Sequence, residues 1–127
     1  MHGELRKTRC DACLAVPDFD GDFDHETPCP ACGRAGLLRP HVVWFGEMPL
    51  YMDEIYQALM NCDIFAAIGT SGHVYPAAGF VELAAHAGAQ TVEINLERSA
   101  VHSAFDEAVY GPATETVPAW VARLISA

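Results

Sequence analysis

The chain has 127 residues, enough for one domain with a buried core, and 51% of them are hydrophobic, which excludes a wholly disordered polymer. Seven Lys and Arg against 17 Asp and Glu leave a formal charge of −10, the wrong sign for neutralising nucleic-acid phosphates. No run of about 18 uncharged apolar residues occurs and residues 1–10 are too polar for a signal peptide, so a soluble, cytoplasmic protein with no membrane partner is expected.

Two compositional zones follow one another, assigned here to residues 1–40 and 41–127. The first is rich in Cys, Asp, Pro and Gly and shows little apolar periodicity. In the second, apolar runs alternate with helical patterns. Val42, Val43, Trp44 and Phe45 make a short strand-like run ending at Gly46. Met52, Ile55, Tyr56, Leu59 and Met60 fall at helical spacing, which predicts a helix over 50–61. Residues 64–68 form an uninterrupted apolar run of the kind buried in parallel sheets, stopped by Gly69. Pro76 suits the first turn of a helix presenting Phe80, Leu83, Ala84 and Ala87, with Gly88 as its C-terminal cap. A further strand covers 91–94 and ends at Asn95. Trp120, Val121, Leu124 and Ile125 mark a last amphipathic helix. Strands alternating with helices imply right-handed parallel crossovers, hence an α/β fold with a doubly wound, Rossmann-like parallel sheet.

The clearest chemical pattern lies in the first zone. Cys10-Asp-Ala-Cys13 and Cys29-Pro-Ala-Cys32 are separated by fifteen residues. Each C-x-x-C presents two thiolates to one ion, and two such knuckles complete a tetrahedron. Four sulfurs leave no open position for water, so Cys10, Cys13, Cys29 and Cys32 are expected to hold a structural zinc. Cys62 reads as a small buried hydrophobe. The acidic stretch Asp18, Asp20, Asp22 and Asp24 has its glycine, Gly21, at the wrong position for an EF-hand and Cys29 in place of the closing glutamate, and it reads as a solvated loop. Gly69-Thr70-Ser71-Gly72-His73 is close to the nucleophile elbow of serine hydrolases, but His73 stands where that motif has glycine. A glycine-rich turn after a buried strand also suits backbone approaching a ligand at the strand's carboxyl end, and such turns exist without any ligand. Asn95, ending the next strand, would face the same crevice.

Read together, several segments resemble the sirtuin family of NAD-dependent protein-lysine deacylases, and the likeness runs along essentially the whole chain. They are His2-Gly3-Glu4-Leu5, the two C-x-x-C pairs, Leu38-Arg39-Pro40-His41-Val42-Val43-Trp44-Phe45-Gly46-Glu47, Gly69-Thr70-Ser71-Gly72, Val74-Tyr75-Pro76-Ala77-Ala78 and Asn95-Leu96-Glu97. The stretch from Arg39 to Glu47, with Val74 to Ala78, resembles the bacterial class III branch, which includes desuccinylases. The resemblance implies that His2 is the catalytic base and that NAD is the co-substrate. In the family the acyl-lysine oxygen attacks the nicotinamide ribose and expels nicotinamide. The histidine then helps a ribose hydroxyl attack the resulting imidate, which yields lysine and O-acyl-ADP-ribose. Gly69, Thr70 and Ser71 match ribose contacts, Asn95, Leu96 and Glu97 adenosine contacts, and Ala113 a backbone contact near adenine. Val43, Phe45, Gly46 and Glu47, with Gly72, Val74 and Tyr75, match residues that flank an acyl-lysine peptide or protein substrate.

The same resemblance identifies the chain as the C-terminal half of the fold. The family's glycine-rich phosphate turn, arginine loop and T-Q-N-x-D segment precede the His-Gly motif, so an N-terminal half is the expected partner. The Tyr and Arg pair that reads acidic acyl groups belongs to that half too. Alone, the chain is expected to self-associate, to bind NAD weakly at most and to be inactive. The rival readings are a non-catalytic zinc-ribbon binding module joined to a half Rossmann fold, and a serine hydrolase using Ser71.

Overall fold

Gly3–Cys10 forms the first strand, β1, although its residues are mostly polar. Its partner is β2, Leu38–Val42, which runs antiparallel to it. The register places Gly3 opposite Val42 and Cys10 opposite Leu38, with an irregularity between Glu4 and Thr8. Pro40 accounts for it: a residue without an N–H cannot complete the ladder, and bulges gather at such points. Around the bulge β1 bonds instead to the loop beyond it. The Phe19 N–H donates to the Arg6 carbonyl, and the Thr8 N–H to that of Pro17. This arrangement corrects the strand predicted at Val42, Val43, Trp44 and Phe45. The strand lies earlier, at Leu38–Val42, and belongs to a two-stranded antiparallel ribbon rather than to the parallel sheet.

The computed structural model describes residues 1–126. Its chain divides into two compact units, Met1–Met52 and Asp53–Ala127. The division falls later than the compositional change near residue 40, because β2 is hydrogen-bonded to β1.

In the second unit three parallel strands lie in the order β3 (Ile64–Ile68), β4 (Gln90–Asn95) and β5 (Glu107–Tyr110). Ile64 pairs with Gln90 and Ile68 with Ile94, while Val92 pairs with Glu107 and Asn95 with Tyr110. Helix α1, Met52–Asn61, starts two residues later than its periodicity suggests, since Tyr51 takes the left-handed φ of 60°. Pro76 precedes a 3-10 turn, Ala77–Gly79, which leads into α2, Phe80–His86. Gly88, with φ of 94°, follows as the left-handed stop expected of it. Helix α3, Ala113–Ile125, begins well before Trp120 and runs through Pro118, at the expense of one helical hydrogen bond.

Four consecutive residues of β4, Thr91, Val92, Glu93 and Ile94, are buried, so both faces of this strand are covered. With Val81 and Ala84 of α2 they make the core of the unit. The apolar run of β3 sits at the sheet's edge, with Ile64 and Ile68 exposed at its two ends.

Candidate functional site

The two C-x-x-C segments fold into matching knuckles. The Leu14 N–H donates to the Cys10 carbonyl and the Gly33 N–H to the Cys29 carbonyl, each at 2.8 Å. Leu14 and Gly33 occupy equivalent positions and both turn left-handed, with φ of 61° and 73°. The turns bring all four Sγ atoms within 4.8 Å of one another. Cys10 lies 3.8 Å from Cys32, and Cys13 lies 3.8 Å from Cys29. A tetrahedral ion with Zn–S bonds of about 2.3 Å sets its sulfurs about 3.8 Å apart, so the quartet fits zinc. Cys10 and Cys29 are buried, while Cys13 and Cys32 face solvent.

The acidities of these thiols point the same way. The Cys13 N–H and further hydrogen bonds hold the Cys10 thiol down at about 7. At Cys13 the Ala15 N–H acts to lower the value, but desolvation and the other three sulfurs raise it to about 11. Cys10 and Cys13, in the same knuckle, therefore differ widely in how readily each gives up its proton. A divalent cation removes that difference.

His2 sits at the start of β1 with its side chain exposed. Its backbone is fixed: the Val43 N–H donates to the His2 carbonyl at 2.9 Å. Gly3 has φ of 91°, and a Cβ there would lie 1.9 Å from the His41 carbonyl oxygen. Only glycine permits that crossing of β1 over β2, which gives the His-Gly pair its physical reason.

Residues 43–47 form an outward turn. Phe45 is 97% exposed, and Gly46 has φ of 89°. Glu47 faces the other way. Its carboxylate accepts from Arg39 Nη2 at 3.0 Å, from Arg39 Nη1 at 2.5 Å and from the Trp44 N–H at 2.9 Å. The Arg39 guanidinium also lies 3.7 Å from the centre of the Trp44 ring. The Arg39 hydrogen bonds, the Trp44 N–H and the nearby charges hold the Glu47 carboxyl at about 2, below its ordinary 4.5. A depressed carboxylate stabilises the fold above its unfolded value, and that contribution is lost as pH falls through the folded value. Acid denaturation should therefore show Glu47→Gln less stable than the parent at pH 7, with the gap closing between pH 4.5 and about 2. A gap that stays constant across that range would mean the ion pair contributes nothing.

In the second unit, three turns gather at the carboxyl ends of β3, β4 and β5. The Gly69 N–H donates to the Ile94 carbonyl at 2.9 Å. Asn95 Nδ2 donates to the Thr70 carbonyl at 2.6 Å, and the Ala100 N–H to that of Ser71 at 2.9 Å. Gly72 is buried with φ of 70°, and a Cβ on it would meet Val101 at 2.8 Å. The Gly111 N–H donates to the Asn95 carbonyl, which sets Ala113 as the first residue of α3 beside the same strand ends. Leu96 and Glu97 are exposed on this rim, as are Val74 and Tyr75 further along the chain. Carboxyl ends of parallel strands are where open α/β sheets bind ligands.

A model of the Sir2 family matches residues 1–76. The chain belongs to the Sir2 family. Along 126 residues this Sir2 chain is 60% identical to a Caulobacter vibrioides protein named NAD-dependent protein deacylase, covering 99% of itself and 53% of that relative. It spans about half the length of the curated relatives it matches. Among solved structures, a complex of a Sir2 homologue with NAD superposes with a TM-score of 0.83 at 31% identity, over 98% of this chain and 50% of the other. A Sir2 protein bound to a myristoylated histone peptide gives 0.73 at 32% identity, over 99% and 57%. Among its described residues the Sir2 chain has no helix long and apolar enough to cross a membrane.

Three residues of this Sir2 chain that shape the two regions are given no role by a reading of the sequence. Arg39 lies in the stretch that resembles the family, but nothing there shows that its guanidinium engages Glu47 and Trp44. Glu93 did carry a signal: it is a carboxylate in the middle of a strand otherwise built for burial. Tyr110 ends β5, a strand of four residues too short to be recognised from its pattern.

Proposed function

We propose that this chain is the zinc module and the NAD-contacting C-terminal half of a Sir2-type deacylase, which removes acyl groups from protein lysines and consumes NAD. The observation that carries the reading is the rim at the carboxyl ends of β3, β4 and β5. There, Gly69, Thr70 and Ser71 are hydrogen-bonded to Ile94, Asn95 and Ala100 in turn, and Ala113 opens α3 just past the end of β5. Its support comes from the relative named NAD-dependent protein deacylase and from the solved NAD and acyl-peptide complexes of other Sir2 proteins.

In this reading Gly69, Thr70 and Ser71 meet the riboses, Asn95, Leu96 and Glu97 the adenosine, and Ala113 the adenine edge. NAD is a co-substrate, so the chain's task is to orient it. His2 takes a proton from a ribose hydroxyl, a task suited to an exposed imidazole. The zinc takes no part in the chemistry, because four sulfur ligands leave it no open position. In the first unit Val43, Phe45 and Gly46 meet the acyl-lysine peptide, and Glu47 acts through Arg39 and the Trp44 amide to hold their turn. Gly72, Val74 and Tyr75 are the peptide contacts of the second unit. Main-chain pairing with an extended peptide tolerates many substrate sequences. Four reduced thiols gathered for a metal suit the cytoplasm.

The test joins this chain behind the N-terminal half of the Caulobacter relative. Nicotinamide release that requires both NAD and an acyl-lysine peptide is the expected result. A soluble, zinc-loaded fusion that consumes no NAD with acetyl-, succinyl- or myristoyl-lysine peptides would favour the non-catalytic binding module instead.

A further inference from the structure

One charged side chain in the second unit is buried for no reason the reaction supplies. Glu93, in the middle of β4, is 1% exposed. Its Oε1 accepts from the Ser99 N–H at 3.1 Å, and its Oε2 accepts from the Tyr110 hydroxyl at 2.8 Å. Burying a carboxylate is costly, and a strand needs none there; a valine would fill the place without that cost. What the carboxylate does is tie two segments to the strand. Ser99 closes the turn that begins at Asn95, and Tyr110 ends β5 just ahead of Gly111 and Ala113.

The tie continues outward. Ser99 Cβ and Oγ stand 3.3 Å from where a Cβ on Gly72 would be, so the buried glycine packs against this residue. Next to it, the Ala100 N–H donates to the Ser71 carbonyl at 2.9 Å. A line of direct contacts therefore runs from Tyr110 through Glu93 and Ser99 to residues 71 and 72. We infer that Glu93, braced by Tyr110, is a positioning residue that sets the spacing between the 69–72 turn and the 95–99 turn, and so determines affinity for the dinucleotide.

The inference deepens the NAD reading above and rests on it for its ligand, while the brace itself is a property of this chain alone. The Glu93 hydrogen bond holds the Tyr110 phenol above its usual value, as an intact phenol–carboxylate pair should. Glu93 touches no reacting atom, so its loss should act on NAD affinity and not on the acyl-peptide contacts.

The experiment uses Glu93→Ala, Glu93→Gln and Tyr110→Phe in two settings. In the fusion enzyme, Glu93→Ala and Tyr110→Phe should raise the KM for NAD about tenfold, the size expected for losing a charge-assisted hydrogen bond. The KM for peptide should stay within about twofold, and Glu93→Gln, which keeps a carbonyl acceptor, should recover most of the loss. In the 127-residue chain, amide exchange at Ala100 should speed up at least about tenfold in Tyr110→Phe, a variant that removes only a hydroxyl and keeps the packing. Unchanged KM for NAD in Tyr110→Phe overturns the proposal, as does an equal loss in both KM values. If the parent fusion shows no NAD consumption, the functional reading fails. The exchange result then decides the brace: unchanged Ala100 protection in both Glu93→Ala and Tyr110→Phe overturns it.

Discussion

Chelating zinc from this chain is expected to unfold residues 1–52 while sheet β3, β4, β5 keeps its exchange protection. The reason lies in what the first unit buries. Its fully buried side chains are Thr8, Cys10 and Cys29, so the core of this unit is largely its metal ligands. A structural zinc in such a setting contributes on the order of 10–16 kcal/mol at neutral pH, comparable with the whole stability of a small domain. Metal analysis should find one zinc per chain, and Cys10→Ser or Cys29→Ser should mimic chelation. Without the ion, the four sulfurs face one another with no charge to hold them. Exchange at Leu14 and Gly33, whose N–H groups close the knuckles, is the direct readout. Full protection of both amides after metal removal, or purified protein holding a Cys10–Cys13 disulfide in place of zinc, would show that the unit is built differently.

In the fusion enzyme, His2→Ala should lower turnover at least about a hundredfold while NAD still binds, the usual loss when a positioned proton-transfer group is removed. Structure should survive the change, because His2 is exposed and its fixed contact is a backbone one. The pH dependence should separate the explanations. If imidazole is the base, the parent rate rises with pH along a limb that the alanine variant loses. An alanine variant that keeps the parent's rate and pH profile would remove His2 from the chemistry. Gly3→Ala is the wrong control, since its Cβ would strike the His41 carbonyl and displace the histidine's own backbone.

How much of this was legible beforehand depends on the kind of signal. The cysteine quartet is legible because ligand spacing is a local constraint that survives any surrounding sequence. The 64–68 and 91–94 runs are legible because parallel strands advertise themselves as unbroken apolar stretches, although only β4 proves covered on both faces. β1 was not legible. Leu5, Arg6, Lys7 and Thr8 carry no clean alternation, since a bulge opposite Pro40 interrupts the side-chain register there. The strand expected at Val42, Val43, Trp44 and Phe45 was misplaced because the ladder with β1 ends at Val42 and the apolar residues after it turn outward, with Phe45 exposed. Glu47 shows the limit at the site. Its motif marks it as important, but only the Arg39 contact reveals that the carboxylate is already engaged and holds a turn.

The pairing of β1 with β2 has a consequence for how the chain becomes folded. These strands meet only after the whole stretch between Cys10 and Leu38 has been looped out, and closing such a loop is entropically unfavourable before any ladder bond forms. The zinc ligands lie inside that loop, two at its beginning and two near its end, so capture of one ion brings the strands together in advance of their hydrogen bonds. Assembly of the first unit should accordingly be a bimolecular event whose rate climbs with free zinc at low metal concentration. The parallel sheet, whose crossovers are short and whose contacts involve no metal, should form at a rate indifferent to it.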